Sequence, residues 1–225
     1  MTTPPPPAPI LLDLDGTLIA TRQLYVEAFA RALHPHVGRR MSEPEIMALH
    51  PKSEIRFLRS QVGDRRLPEV LDHFYREYDA LHPELFRGFY RGALEAVDAL
   101  RRRGVPLGLV TGKSRRAWDI TLRHLDPGAF HVLVFDDDVV EGKPDPEGLH
   151  WAVALLKEQG RVPPDAVPVY VGDSVTDLDA AVEARLRPAG TLWSKKEEER
   201  EDFAAAVAER DGVLLRTPEE LLTLV

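Results

Sequence analysis

Short apolar runs alternate with amphipathic segments along much of the chain, and this alternation predicts the elements of the fold. The first run, residues 10–12, is too short for a helix and ends at two aspartates and a glycine, so we interpret it as a buried strand. From residue 90 onward, strand patterns and helix patterns follow one another. Further strands are predicted at 105–110, 131–135 and 167–171, and further elements of unassigned type near 189–193, 197–209 and 213–215. This alternation is typical of an α/β fold with a doubly wound parallel sheet.

Residues 20–88 interrupt the alternation with helical patterns alone. Their apolar positions recur at steps of three and four, most clearly in the stripe from Leu67 to Leu81, which we interpret as core. Three or four such helices can bury their faces on one another, so the segment predicts an inserted helical bundle. Breaks between the helices are expected at the prolines of the segment, namely Pro35, Pro44, Pro51 and Pro83.

These patterns divide the chain into three parts. Residues 1–9 are rich in proline and are expected to form a disordered tail. Residues 10–19 and 89–225 are expected to form the α/β core domain. Residues 20–88 form a separate α-helical domain, which we call the cap.

Composition narrows the possible partners. The chain has 225 residues, of which 44% are hydrophobic, and this is enough for a sizeable core. A formal net charge of −8 argues against a nucleic-acid or anionic-membrane partner. The chain has no cysteine and no apolar run of about eighteen residues, the length typical of a membrane span. We therefore expect a cytoplasmic protein, monomeric or homodimeric, with a small-molecule substrate.

Four polar motifs stand at predicted strand or helix boundaries. Asp13 and Asp15 follow the first strand, where Gly16 lets the chain turn sharply. Thr111-Gly112-Lys113 follows the next predicted strand, and Gly172-Asp173-Ser174-Val175-Thr176-Asp177 follows the strand at 167–171. Because ligands of open α/β sheets bind at the carboxyl ends of the strands, these motifs are expected to form one site. Lys143-Pro144-Asp145 precedes a predicted helix and completes the set.

In this order and placement, the motifs resemble those of the haloacid dehalogenase superfamily of aspartate-nucleophile phosphatases. The first motif of that family is Asp-x-Asp-x-Thr/Val, and the segment from Asp13 to Thr17 matches it. The resemblance implies a Rossmann-like core with a helical cap inserted after the first motif, as in phosphoglycolate phosphatases and β-phosphoglucomutases. Departures at Ile19-Ala20-Thr21 and at residues 183–187 leave the subfamily open.

The resemblance also implies the chemistry. It suggests a phosphatase that uses Mg²⁺ and hydrolyses a small phosphorylated metabolite, of the phosphoglycolate or sugar phosphate type, through an aspartyl-phosphate. Asp13 would be the nucleophile and Asp15 the acid and base. With a reference pKa of about 3.9, Asp13 is expected to be ionised at neutral pH.

The remaining implied roles concern the phosphoryl group and the metal. The substrate phosphate would be held by Thr111, Gly112 and Lys143. The ligands of Mg²⁺, a cation that prefers oxygen, would be Asp13, the backbone carbonyl of Asp15, Asp173 and Asp177.

Two alternatives stay open at this point. A phosphohexomutase of the β-phosphoglucomutase type would use the same aspartyl-phosphate. A non-catalytic phospho-aspartate signalling module would share the acids, Thr, Lys and Mg²⁺, but it normally lacks both the cap and the second acid. A nucleotide-binding P-loop at Gly112-Lys113-Ser114 is excluded, because the required glycine five residues before Gly112 is Leu107.

Two charged segments lie outside the motifs. In the cap, residues 49–54 interrupt two helical patterns, and His50 and Lys52 are candidates for contacting the substrate. In the core, the charge run from Lys195 to Asp202 is interpreted as a solvated loop and helix face.

Overall fold

The computed structural model describes residues 7–49, 51 and 53–225, and within these residues six strands form one parallel sheet. The strands are β1 (Ile10–Leu12), β2 (Leu107–Val110), β3 (Val132–Val134), β4 (Val169–Gly172), β5 (Arg187–Thr191) and β6 (Val213–Leu215). Their order across the sheet is β3-β2-β1-β4-β5-β6, so β1 lies between β2 and β4. The predicted α/β fold with a parallel sheet is confirmed. The first four strands lie within a few residues of their predicted positions, and β5 and β6 lie where elements of unassigned type were expected.

Helices surround the sheet and fill the segment after β1. They are α1 (Arg22–Val37), α2 (Glu43–Ala48), α3 (Glu54–Val62), α4 (Leu67–Leu85), α5 (Ala93–Arg102), α6 (Arg115–Thr121), α7 (Glu147–Glu158), α8 (Val175–Glu183) and α9 (Glu197–Ala208). A 3₁₀ helix at Pro218–Thr223 follows β6. In the described part of the chain, no helix combines the length and the apolar character that crossing a membrane requires.

Both faces of the sheet are covered, as the continuous apolar run of β1 requires. Ile10 and Leu12 pack in one cluster with α5, whereas Leu11 packs in another with α7 and α8. All three side chains have no exposed surface. Burying such a side chain stabilises the fold by roughly 1.5–3 kcal/mol, so β1 is held firmly at the centre of the sheet.

The cap helices α1 to α4 bury a shared aromatic core. Phe29 of α1 stacks on Phe74 of α4 with ring centroids 4.9 Å apart, and Tyr78 lies one turn further along α4. The predicted stripe on α4 is therefore core. Ala117 and Ile120 of α6 belong to the same cluster, so the cap packs directly on a helix of the core domain.

Two of the expected helix breaks are wrong. Pro35 lies inside α1 and Pro83 lies inside α4, each within the last turn of its helix. A proline there removes a single intrahelical hydrogen bond, and the helix continues for two more residues before it ends. Pro44 lies in the first turn of α2, where proline is tolerated, and Pro51 separates α2 from α3 as expected.

The chain passes between the sheet and the cap twice, and these two connections lie side by side. The Ala20 amide donates to the Gly88 carbonyl at 2.9 Å, and the Tyr90 amide donates to the Leu18 carbonyl at 3.0 Å. This pairing places both connections next to the acidic end of β1. The exact boundaries at 19/20 and 88/89 stay a prediction.

Candidate active site

Three of the four motifs follow adjacent strands at the carboxyl edge of the sheet. Asp13 follows β1, Thr111 follows β2 and Asp173 follows β4. Gly16 turns the chain with a φ of +82°, and a Cβ there would lie 2.5 Å from the Asp173 carboxylate. Glycine is thus required at position 16 both for its backbone conformation and for the close approach of Asp173.

Lys143 lies at the centre of the acidic cluster. Its Nζ donates to Asp13 Oδ1 at 2.9 Å, to Asp177 Oδ1 at 2.6 Å and to the Tyr170 hydroxyl at 3.0 Å. These three contacts use all three ammonium protons. Burial opposes the charged form, but Asp13 and Asp177 outweigh it and raise the pKa of Lys143 well above its usual value. Lys143 is therefore a permanently charged group beside the nucleophile candidate.

Asp13 is only 5% exposed, and this changes its expected protonation. Burial raises the pKa of the Asp13 carboxyl to about 7, and the carboxylates of Asp177 and Asp173 add to the rise while Lys143 opposes it. In the protein alone, this burial opposes the full ionisation at neutral pH that was expected from the reference pKa of an exposed aspartate. Additional positive charge next to Asp13 would favour its ionised form.

The acidic residues at this edge fit a hard divalent cation. Asp13, Asp173 and Asp177 each offer a carboxylate oxygen, and these oxygens lie within 4.8 Å of one another. Such oxygens are the ligands that Mg²⁺ prefers. Burial also raises the pKa of Asp173, with Lys195 opposing the rise. Added positive charge would therefore reduce the repulsion between the crowded carboxylates.

The three carboxylates are not equally available to a metal. Both oxygens of Asp177 accept hydrogen bonds, Oδ1 from Lys143 and Tyr170, and Oδ2 from the amide and hydroxyl of Ser174 at 2.9 and 2.6 Å. Burial alone would raise the pKa of Asp177, but Lys143 and the other donors hold it below its usual value. Asp177 is therefore better placed to orient Lys143 than to act as a metal ligand.

Asp15 points away from this carboxylate cluster. Its Oδ1 accepts a hydrogen bond from the Thr21 hydroxyl at 2.7 Å, and its Oδ2 lies 3.1 Å from Lys113 Nζ. Both carboxylate oxygens therefore have partners outside the acidic cluster, and only the backbone carbonyl of Asp15 was predicted to bind the metal. Thr21 immediately precedes α1, so the second acid contacts the beginning of the cap.

Lys113 is a site residue that the sequence reasoning missed. The side chain is fully buried, and its Nζ donates to the hydroxyls of Tyr25 and Tyr78 at 2.6 and 2.8 Å as well as pairing with Asp15. Burial opposes the charged form, but Asp15 and its neighbours raise the pKa of Lys113. The available signal was its position directly after Thr111-Gly112, where a lysine at a buried strand end needs partners.

The cap is joined to the core motifs by polar contacts. Glu54 of α3 accepts hydrogen bonds from the amide and the hydroxyl of Ser114, at 2.8 and 2.5 Å. On the same helix, Arg56 donates to Asp136 at 3.0 Å, and Ser53 donates to the other oxygen of Asp136 at 2.6 Å. The cap therefore lies over the acidic edge of the sheet.

A cavity of about 690 Å³ lies between the cap and this edge. Its floor includes Asp13, Asp15, Thr111, Gly112, Lys143 and Asp173, and its cap side includes Tyr25, Phe29 and Met47. The structure thus brings the predicted catalytic and phosphate-binding residues into one cavity. The two cap candidates for specificity, His50 and Lys52, lie outside the described residues.

The interpretation of residues 195–202 as a solvated segment is wrong at its first residue. Lys195 turns into the cavity and its Nζ donates to Asp173 Oδ2 at 3.0 Å. The next two residues do behave as expected, with side chains 50% exposed at Lys196 and 86% exposed at Glu197. The charge run in the sequence therefore gave no indication that Lys195 faces the cavity.

Comparisons with known proteins agree with this geometry. A family model described as haloacid dehalogenase-like hydrolase matches residues 10–191. Pyrophosphatase PpaX of Bacillus pumilus is 33% identical over 218 residues, which cover 96% of this chain and 95% of that protein.

Solved structures with the same fold cover nearly the whole chain. The structure of CbbY from Rhodobacter sphaeroides in complex with phosphate has a TM-score of 0.73 and 27% identity, and covers 95% of this chain and 96% of that one. A predicted phosphoglycolate phosphatase from Haemophilus somnus has a TM-score of 0.77 with 97% coverage of both chains, and at 20% identity it shows the fold alone.

Proposed function

Because this chain belongs to the haloacid dehalogenase-like hydrolase family, we propose that it is a Mg²⁺-dependent phosphatase that hydrolyses a small phosphorylated metabolite through an aspartyl-phosphate on Asp13. The observation that carries the proposal is the contact of Asp13 Oδ1 with Lys143 Nζ at 2.9 Å, at the floor of the cavity between the cap and the core. The contact supports the assignment of Asp13 as the nucleophile, because a fixed cation lies beside its carboxylate. The family and the phosphatase class agree with the named relatives.

In the first step, an Asp13 oxygen attacks the phosphorus atom and the bond to the leaving oxygen breaks. Two anions must meet in this step, so fixed positive charge is needed where negative charge develops. Lys143 supplies it, and Asp177 holds Lys143 in place at 2.6 Å. Thr111 and the Gly112 amide line the same floor and are assigned to the phosphoryl oxygens.

The metal is assigned to Asp13, Asp173 and the Asp15 backbone carbonyl, with Asp177 as a further candidate. When bound, Mg²⁺ supplies a divalent charge that reduces repulsion between the attacking carboxylate and the phosphoryl group. The chain's own contribution is the close set of carboxylate oxygens within 4.8 Å.

Asp15 is assigned to proton transfer. It donates a proton to the leaving oxygen in the first step and accepts one from water in the second, when that water attacks the phosphorus of the aspartyl-phosphate and releases Asp13. Thr21 and Lys113 hold its two carboxylate oxygens at 2.7 and 3.1 Å, which fixes its orientation.

We assign different roles to the two domains. The core, residues 10–19 and 89–225, handles the phosphoryl group, while the cap, residues 20–88, excludes water and meets the leaving group. The named relatives make inorganic pyrophosphate and phosphoglycolate the first compounds to test. Sugar phosphates remain in the panel because the same intermediate would serve a phosphohexomutase.

The testing experiment measures phosphate release from pyrophosphate, phosphoglycolate, sugar monophosphates and p-nitrophenyl phosphate, with and without Mg²⁺. We expect release that requires Mg²⁺ and needs no added sugar bisphosphate. The Asp13→Asn variant is expected to lose turnover while it still folds, because asparagine has almost the same shape. Substantial turnover by Asp13→Asn would remove Asp13 as nucleophile, and a requirement for sugar bisphosphate would favour the mutase.

A further inference from the structure

Lys195 is held inside the cavity by a tightly anchored turn between β5 and α9. The indole N–H of Trp193 donates to the Thr17 carbonyl at 2.8 Å, and the Ser194 hydroxyl donates to Asp173 Oδ2 at 3.2 Å. Both contacts tie the turn to the motifs that follow β1 and β4. The Lys195 side chain is consequently placed beside the acidic cluster by rigid elements of the core.

The ammonium group of Lys195 also contacts an aromatic ring. Its Nζ lies 4.8 Å from the centre of the Phe203 ring, and the side chain is only 16% exposed. A lysine packed in this way loses less conformational freedom when it binds a ligand than a lysine on an open surface. Lys195 is thus preorganised, although the sequence around it is typical of a solvated helix start.

The other cations that line the cavity in the described residues each contact at least two partners. Lys143 contacts three acceptors and so does Lys113. Arg22 is paired with Glu43 at 3.2 Å and with Glu199 at 3.0 Å. Each of these groups is therefore committed to holding the site together.

Lys195 differs from them. Asp173 Oδ2 is the one acceptor that its Nζ reaches among residues 7–49, 51 and 53–225. An ammonium has three protons, so two of them remain available to a ligand in the cavity. A cation with spare donors in a cavity is suited to an anion, since charge-assisted hydrogen bonds are stronger than hydrogen bonds between neutral groups.

We propose that Lys195 binds a second anionic group of the substrate, a phosphoryl or a carboxylate on the leaving-group side. The proposal rests on the phosphatase function above, because the transferred phosphoryl group is already assigned to Lys143, Thr111 and Gly112. It makes Lys195 a specificity residue supplied by the core domain. Substrates with a neutral leaving group would not use it.

The experiment measures binding by titration calorimetry at fixed free Mg²⁺, using the full chain. The probes are imidodiphosphate, which carries a second phosphoryl group, 3-phosphonopropionate, which carries a carboxylate, and inorganic phosphate, which carries neither. Lys195→Met removes the charge and its contact with the Phe203 ring, and keeps an unbranched side chain of similar length. Lys196→Met is the matched control, because its side chain is half-exposed and pairs with Glu43 outside the cavity lining.

We expect Lys195→Met to weaken binding of at least one of the two larger probes by about tenfold or more, and to change inorganic phosphate binding by less than about twofold. The affected probe identifies the second group as phosphoryl or carboxylate. Lys195→Arg should retain most of the affinity, and Lys196→Met should change none of the three. If Lys195→Met does not fold, Lys195→Gln takes its place.

Equal weakening for all three probes, no weakening for any, or the absence of binding of both larger probes to the natural chain would overturn the proposal. Hydrolysis is measured separately with pyrophosphate and p-nitrophenyl phosphate. If the natural chain binds the probes but hydrolyses no phosphate compound, the proposed function fails while the role of Lys195 in binding is still decided by the titrations.

Discussion

Replacing Asp177 by asparagine separates two roles that this residue could play. As a metal ligand it would contribute to Mg²⁺ affinity, whereas as a partner of Lys143 it would contribute to turnover. Its oxygens accept four hydrogen bonds, two of them from Ser174, one from Tyr170 and one from Lys143 at 2.6 Å. In Asp177→Asn, an NH₂ group replaces one of these oxygens. This group is a hydrogen-bond donor, and it faces the donors whose hydrogen bonds the oxygen accepted.

The size of the effect follows from these contacts. A hydrogen bond to a charged group contributes about 1.5–3 kcal/mol, and Lys143 keeps its contact with Asp13, so we expect a loss of about 2 kcal/mol in the free energy of unfolding. Displacement of Lys143 from its position should lower kcat by about 100-fold, the order observed when one transition-state donor is removed. The Mg²⁺ dissociation constant should change by less than about threefold, because both Asp177 oxygens are already occupied.

The assays are urea unfolding, kcat at saturating Mg²⁺, and calorimetric titration with Mg²⁺. Asp173→Asn is the matched control. It replaces a carboxylate whose Oδ1 accepts no hydrogen bond from the part of the chain that the structure describes, and it should weaken Mg²⁺ binding by about tenfold or more. If Asp177→Asn weakened Mg²⁺ binding as much as Asp173→Asn and recovered its kcat at high Mg²⁺, the assignment of Asp177 to Lys143 would be refuted.

Three further predictions follow from the same geometry. Asp15→Asn should lower kcat/KM for alkyl phosphates more than for p-nitrophenyl phosphate, whose leaving group needs little protonation, and equal losses would count against Asp15 as the acid. Lys113→Met should lower the free energy of unfolding, measured in urea, by about 3 kcal/mol, because it leaves Asp15 without its buried cation. An unchanged free energy of unfolding would contradict this. Phe74→Ala should cost about 3–5 kcal/mol in the same assay, because it empties the centre of the cap, and a loss below about 1 kcal/mol would show that the aromatic cluster repacks.

Much of the fold could be predicted because its signals are local. The apolar run at 10–12, the turn at Gly16 and the stripe from Leu67 to Leu81 each depend on neighbouring residues, and each has its predicted structure. Helix ends were less predictable. Pro35 and Pro83 were expected to break helices, but a proline in the last turn disrupts so few hydrogen bonds that packing decides where the helix stops.

The floor of the candidate site could also be predicted from the sequence, because a parallel sheet brings motifs that are separate in the chain together at one edge. Asp13, Thr111 and Asp173 each follow a strand, and neighbouring parallel strands end on the same side. Lys113 belongs to the motif at 111–113, but its role could not be predicted from the sequence, since its partners Tyr25 and Tyr78 lie 88 and 35 residues away in the chain. No local pattern reveals contacts over such separations.

The sequence by itself determined the family, the order of the strands along the chain, the helical cap and the residue types available for chemistry. The tertiary structure alone decided how those residues are used. It lifts the pKa of Asp13 to about 7, turns Lys195 into the cavity and occupies both oxygens of Asp177. The physical reason is that secondary structure follows from propensity and periodicity along the chain, whereas desolvation and hydrogen bonding depend on which distant groups pack within a few ångströms.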